Sequence, residues 1–388
     1  MLKKIKRKLT TPLQEIIADS RSLGIILILC TVLSLFIENS FVGGWYDAIW
    51  KYEFHFPAFV QLPHTVIHWI NDGLMAVFFF LVGMEIKREL LVGELNDSKK
   101  AILPVFAALG GMIVPAVIFS LFNRGNEYNH GWGIPMATDI AFSLGIASLL
   151  GSRVPVSLKI FLTALAIIDD LGAIAVIALF YGGAIKWAMI FGALLVTGLI
   201  TWASKKNIGF PVRLFLAVIL WYLVFNSGLH ATVAGVIFAF TIPMKELVNL
   251  EHKLHVPVNF LIIPLFALAN TAIVLPGNIV ESLNNPLNFG ILAGLVVGKP
   301  LGILLFSYLL VQLKWGSLPE NVTWSQIAGI GLLAGIGFTM SIFIATLAFL
   351  DPYAQDIAKI SVLLASLLSV ILGSLTILLF SKKLTTEV

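Results

Sequence analysis

Residues 157–181 read SLKIFLTALAIIDDLGAIAVIALFY, and this stretch sets the class of the whole chain. It is apolar except for Lys159 near its start and the adjacent Asp169 and Asp170 near its middle. At 1.5 Å per residue a helix of this length reaches about 37 Å, enough to cross a hydrocarbon core of roughly 30 Å. Comparable runs lie near 22–38, 64–85, 101–122, 131–150, 184–203, 211–226, 229–243, 256–275, 287–312, 325–350 and 356–380. None alternates as an outer-membrane strand does. The expectation is an all-α membrane protein of about 12 transmembrane helices.

Composition agrees. Of 388 residues 59% are apolar and 12% charged, about half the charged share of a soluble domain, and the mean hydropathy is +0.97. Disordered, collagenous and disulfide-rich classes are excluded. The single Cys30 cannot form an intramolecular disulfide and reads as a small apolar residue of the first span. The basic start, Lys3 to Lys8, looks like a signal-peptide n-region, but the first apolar run begins only after Ser22 and no small-residue cleavage site follows. It reads as a retained cytoplasmic tail.

The net charge of +4 is informative through its distribution. With the N-terminus inside and twelve crossings, twenty of the 25 lysines and arginines fall in cytoplasmic segments. Only Lys51, Arg124, Lys186 and Lys359 fall outside, and Lys299 is left within a span. One helix missed or invented would reverse every later loop, so the positive-inside rule supports both the count and two cytoplasmic termini. No nucleic-acid partner is implied; the partner is the lipid bilayer. The long first outside loop, about 39–63, carries Trp45, Tyr46, Trp50, Tyr52, Phe54 and Phe56 and reads as an interfacial aromatic belt. The sequon at Asn321 falls on the inside and is read as chance.

Four charges fall where lipid should be: Asp139, Asp169, Asp170 and Lys299. Each costs about 2.5–3.5 kcal/mol at a helix centre on insertion scales, and such residues normally face a bundle interior or a watery cavity. A buried salt bridge accounts for one acid and the lysine and leaves two carboxylates over. Asp169 and Asp170 diverge by about 100° on a helix, so one can pair with Lys299 while the other faces a cavity. Burial and like charge both favour holding a proton there. A hard cation such as Na+ also suits carboxylate and carbonyl oxygens. Cation and protons then compete for the same groups, which is a mechanism of exchange.

Two spans look interrupted. In Pro135-Met136-Ala137-Thr138-Asp139 the proline removes a donor, while Thr138 and Asp139 offer partners to the freed backbone. The helix is expected to unwind there. In Gly329-Ile330-Gly331-Leu332-Leu333-Ala334-Gly335-Ile336-Gly337-Phe338-Thr339 four glycines precede Thr339, which fits close packing alone or packing plus a break. Gly294, Gly298 and Gly302, like Gly331 and Gly335, also have the four-residue spacing of close-packed helices. Interrupted spans four and eleven point to a midplane site in inverted-topology repeats, helices 3–5 (101–181) and 10–12 (287–380). The remaining helices, 22–85 and 184–275, form an interface or panel region of the same single transporter domain. Asp139 would then offset half-helix N-termini and Lys299 C-termini.

Pro135-Met136-Ala137-Thr138-Asp139-Ile140-Ala141-Phe142, Ala166-Ile167-Ile168-Asp169-Asp170-Leu171-Gly172, Gly298-Lys299-Pro300-Leu301-Gly302 and Gly335-Ile336-Gly337-Phe338-Thr339-Met340-Ser341-Ile342-Phe343 together resemble the signature segments of the NhaA family of bacterial sodium/proton antiporters. The resemblance covers nearly the whole chain. It implies Asp169 and Asp170 as the ion and proton site, Lys299 as partner of Asp169, and Thr138, Asp139, Gly337 and Thr339 at a crossing of broken helices. It further implies Asp72 on the pathway, although by itself Asp72 reads equally as a helix-end cap. Glu85, Arg88, Glu89, His230, Glu251, His252 and His255 fall at positions associated with pH sensing, although a solvated loop or a hydrogen-bonded helix end explains the same residues.

The resemblance implies a non-enzymatic antiporter in a bacterial inner membrane. It would exchange cytoplasmic Na+ or Li+ for a larger number of external protons, serving pH and sodium homeostasis, with no cofactor. A homodimer stays open, because the first outside loop differs in composition from the family's hairpin. Sodium-coupled solute symport and an intramembrane aspartyl protease are the competing classes. The protease needs carboxylates that converge across one water, whereas Asp169 and Asp170 diverge.

Overall fold

The computed structural model describes residues 22–57, 61–320 and 322–381. The basic tail through Arg21, Asn321 of the sequon, Lys382 and Lys383 lie outside the described residues. Twelve helical stretches follow the apolar runs in order. They are α1 (Ser22–Glu38), α2 (Val66–Val92), α3 (Lys100–Phe122), α4a and α4b (Glu127–Met136 and Ile140–Leu149), α5 (Val156–Phe180) and α6 (Trp187–Lys205). Then come α7 (Phe210–Phe225), α8 (Val233–Thr241), α9 (Met244–Asn270), α10 (Pro286–Gln312), α11a and α11b (Trp324–Ala334 and Phe338–Ala348) and α12 (Pro352–Phe380). Among the described residues strand pairing is limited to one bridge, Glu53 with Thr65.

The twelve are unequal. Seven are single helices long and apolar enough to cross a membrane, and counting each bent pair as one span brings the number to 10. α7 and α8 have 16 and 9 residues, or about 24 and 14 Å, less than the hydrocarbon thickness. α1 bends by 118° into a short helix, Gly43–Trp50, so part of the first outside loop is helical. Tyr46 and Trp50 of that helix are buried, whereas Trp45, Tyr52 and Phe54 are exposed as belt residues would be.

The chain forms two compact units. One comprises Met1–Ile28, Val92–Ala173 and Leu275–Val388; the other comprises Leu29–Leu91 and Ile174–Val274.

In the first unit small residues bring backbones together. A Cβ on Gly302 would strike the Gly110 carbonyl oxygen, and one on Gly110 would strike that of Gly302. Gly298 likewise leaves room for Pro115, Gly294 for Pro135 and Gly331 for Pro300. The four-residue glycine spacing of α10 is therefore a contact face against α3 and α4a. Gly302→Val is expected to lower stability by about 3 kcal/mol, the upper range for overpacking. Thermal unfolding in detergent checks this, with the exposed Val297→Ala as the neutral control.

α10 widens to a π turn over Ala293–Gly298, so that the Lys299 N–H bonds the Gly294 carbonyl five residues back. Pro300 has no N–H to give to the preceding turn, and a π turn just before it accommodates the gap.

The second unit is knit in the same way. Gly235 of α8 lies on the Ala76 carbonyl of α2, Gly83 lies on Val236 and Ala239, and Phe80 stacks on Phe238 at 4.7 Å. Asn71 and Asn270 exchange amide hydrogen bonds of 3.2 and 2.9 Å. Lys87 donates to the carbonyls of Phe240 and Ile242, 2.6 Å each, satisfying the C-terminal end of the short α8.

Candidate ion site at the helix breaks

Within the first unit both interrupted spans are broken. α4a is a 3-10 segment that ends at Met136; Ala137 and Asp139 are extended, and α4b starts at Ile140 after a 45° bend. α11a ends at Ala334 and α11b begins at Phe338 after a 46° bend. The glycines of this span therefore serve both packing and a break.

A broken helix leaves backbone donors and acceptors that lipid cannot satisfy, and here side chains and backbone from other segments partner several of them. The Asp139 N–H donates to the Ile336 carbonyl at 2.7 Å. Asp139 Oδ1 accepts from the Phe142 N–H at 2.9 Å, capping α4b. Its Oδ2 accepts from the Thr339 N–H at 3.1 Å and the Thr339 hydroxyl at 2.5 Å. One carboxylate thus serves the positive ends of two half-helices. Gly337, the N-cap of α11b, has no side chain to offer; Ser366 of α12 accepts from the Phe338 N–H instead, at 3.2 Å.

The C-terminal ends are served by hydroxyls and a lysine. Ser341 donates to the Ile134 carbonyl at 2.7 Å, and Lys299 Nζ donates to the Met136 carbonyl. The Thr138 hydroxyl lies 2.9 Å from the Ala334 carbonyl and 2.7 Å from Asp169 Oδ2. With one proton to give, Thr138 donates to only one of these acceptors at a time.

Asp169 Oδ2 also receives Lys299 Nζ at 2.7 Å. Asp169, Asp170, Asp139 and Lys299 are 1%, 2%, 3% and 0% exposed. These four buried charges lie about the two helix breaks: Lys299 pairs with Asp169 and is within electrostatic reach of Asp170, and Asp139 caps the two half-helices. If all are ionised the sum is −2, an environment that attracts a cation. Among the described residues no group of three or more His, Cys, Asp or Glu side chains is gathered as for a tightly held metal. Any cation here would take carbonyl and hydroxyl oxygens along with the carboxylates.

The other predicted residues form two groups in the second unit. Arg88, 2% exposed, meets Glu89 Oε1 at 3.2 Å and Glu251 Oε1 at 3.4 Å. Glu85 is within electrostatic reach of the same three, and His252 of Glu251. His255 contacts Asn259 at 3.0 Å. Glu85, Arg88, Glu89 and Glu251 therefore form a cluster at the α2–α9 contact in which Arg88, Glu89 and Glu251 are buried, whereas His252 is exposed and His255 half-buried, as on a solvated face. Asp72 meets His230 Nε2 at 3.3 Å within a π turn, and its backbone carbonyl accepts from the Trp221 indole. It does not cap a helix end.

Several residues escaped the sequence. Ser341 and Ser366 look like small packing residues in apolar helices, and only the trans capping reveals them. Lys159 and Lys359, assigned to loops, lie inside α5 and α12 and are buried.

A sequence model of the family described as Na+/H+ antiporter 1 matches residues 14–377. The chain is 47% identical over 373 residues to the Na(+)/H(+) antiporter NhaA 1 of Flavobacterium johnsoniae, covering 94% of this chain and 96% of that protein. It is 44% identical over 393 residues to the Na(+)/H(+) antiporter NhaA of Cytophaga hutchinsonii, covering 98% and 100%. Among solved structures it is similar in fold to the sodium proton antiporter MjNhaP1 of Methanocaldococcus jannaschii, with a TM-score of 0.50, 16% identity and coverage of 92% and 96%.

Proposed function

The chain belongs to the Na+/H+ antiporter 1 family, and on that premise we propose that it exchanges Na+ or Li+ for protons at Asp169 and Asp170. The observation that carries this reading is the buried Lys299–Asp169 pair, set beside Asp170 where two broken helices end.

Each component has a distinct part. Asp170 and Asp169 supply carboxylates that hold either protons or the cation. Lys299 occupies Asp169 in place of the cation and releases it when the cation arrives. Asp139 is committed to the two helix N-termini and is therefore a structural charge; Thr138 and Thr339 link that crossing to the site. Two titrating carboxylates allow two protons to enter for each Na+ that leaves, so the exchange moves net charge.

The same reading places the protein in a bacterial inner membrane with both termini cytoplasmic, on the strength of the basic-residue asymmetry. The inverted repeats are 101–181 and 287–380, with 22–85 and 184–275 as the panel. The buried cluster of Glu85, Arg88, Glu89 and Glu251 tunes activity with pH; His252, His255, and the Asp72–His230 contact on the pathway, join in this role. A homodimer belongs to the same proposal and is read from the mass of the purified protein in detergent.

An intramembrane protease is disfavoured by the engagement of its acids. Asp139 is occupied as a double cap and Asp169 by Lys299, which leaves no convergent dyad. The test is reconstitution in proteoliposomes under an imposed pH gradient. Na+ is expected to dissipate the gradient with no organic solute present; dissipation that requires such a solute would convert the reading to symport.

A further inference from the structure

Pro300 leaves one carbonyl of α10 without a donor from its own helix. Across the π turn the Lys299 N–H goes to the Gly294 carbonyl. In the same register the Leu295 carbonyl would take its hydrogen from residue 300, and a proline has none to give. Inside a membrane, carbonyls freed in this way are met by neighbouring helices, among other means through Ser and Thr hydroxyls.

Such a hydroxyl stands close by. A Cβ on Gly335, at the end of α11a, would lie 2.5 Å from the Leu295 carbonyl oxygen and 2.7 Å from Ser369 Oγ of α12. The two oxygens therefore flank one glycine and are at most about 5 Å apart, where an O–H···O bond needs about 2.7 Å. Ser369 is 0% exposed, and its hydroxyl has no hydrogen-bond partner among the described residues. Other hydroxyls of α12 behave differently. Ser361 and Thr376 donate to the carbonyls four residues back, at 2.7 Å each, and Ser366 accepts from the Phe338 N–H. A buried donor and a buried acceptor thus face the end of α11a from two sides, each lacking what the other offers.

We propose that Ser369 is a positioning residue for cation binding: its hydroxyl is unengaged while Lys299 holds Asp169, and it donates to the Leu295 carbonyl once the cation has displaced Lys299. This rests on the exchange reading above. In the arrangement seen here Lys299, directly after the π turn, is tied through Nζ to Asp169 and to the Met136 carbonyl. Release of those contacts frees α10 next to the wide turn, where a shift of about 2 Å brings carbonyl and hydroxyl into bonding distance. A hydrogen bond made only in the cation-bound form adds to cation affinity. A typical net contribution corresponds to about fivefold in the dissociation constant.

The test is the Na+ dissociation constant of the purified protein at one fixed pH, with thermal unfolding measured in the absence of Na+. Ser369→Ala is expected to raise the dissociation constant about fivefold. The same variant without Na+ should be as stable as the wild type or more so, because the hydroxyl it loses is unengaged there. Pro300→Ala supplies an N–H for the Leu295 carbonyl with or without Na+. In that background Ser369→Ala should change the constant by less than about twofold, since the two sites act on one carbonyl. If Pro300→Ala does not fold, Ser369→Cys replaces it; a thiol is a weaker donor, and its constant should fall between those of the wild type and Ser369→Ala. An unchanged constant in Ser369→Ala, a Na+-free variant less stable than the wild type, an undiminished effect in the Pro300→Ala background or a Cys variant no better than Ala would overturn the inference. A wild-type chain that shows neither Na+ binding nor Na+-dependent exchange would instead overturn the exchange reading.

Discussion

Asp170→Asn is expected to abolish Na+-driven dissipation of an imposed pH gradient while leaving the protein folded. Asn has the shape of Asp but neither ionises nor carries a proton across the working pH range. Asp170 is 2% exposed, so little water is available to substitute for the lost carboxylate. Direct contact between a cation and a carboxylate in such surroundings contributes enough that its loss should cost at least about a hundredfold in rate. Folding should not suffer, because the substitution removes a buried charge next to another acid and so relieves like-charge repulsion. Thermal unfolding of the variant should match or exceed the wild type. Full transport in a folded Asp170→Asn protein would remove Asp170 from the site.

The second large effect concerns Lys299. Lys299→Met leaves Asp169 as a buried carboxylate without its ammonium and also takes the donor from the Met136 carbonyl. Removing one partner of a buried ion pair costs about 3–5 kcal/mol, much of it the uncompensated charge that remains. The unfolding temperature in detergent should fall accordingly. Adding Asp169→Asn neutralises the remaining partner and should recover most of the loss, since the double replacement leaves no orphan charge. A Lys299→Met protein as stable as the wild type, or a double variant less stable than the single, would mean that the pair does not hold the site together.

Much of this arrangement was legible because membrane burial makes polar residues conspicuous. Asp139, Asp169, Asp170 and Lys299 stand out in apolar runs, and Pro135 with Thr138 and Asp139 marks the break in α4 by backbone chemistry alone. The glycines of α11 were ambiguous, since Gly331 packs on Pro300 while Gly335 and Gly337 flank the break. What the sequence hid falls into two kinds. Hydroxyls such as Ser341 and Ser366 act in trans on distant backbone groups, so no local pattern announces them. Lys159 and Lys359 stand near the starts of their runs, and counting them with the adjoining loops leaves their burial unseen. The short α8 was hidden differently: its run of 229–243 includes Leu229–Thr232, where turns and the contacts of His230 replace helix. The π turn before Lys299 had a signal in Pro300, but a proline alone does not distinguish a kink from a widened turn.

The competition of cation and protons for one pair of carboxylates is the claim on which the rest depends. Its most direct test is the Na+ dissociation constant of the purified protein, measured from mildly acidic to alkaline pH. Binding is predicted to weaken steadily as the pH falls, and Asp169→Asn or Asp170→Asn should flatten or abolish that dependence. A dissociation constant that stays the same across the range in the wild-type protein would contradict the account.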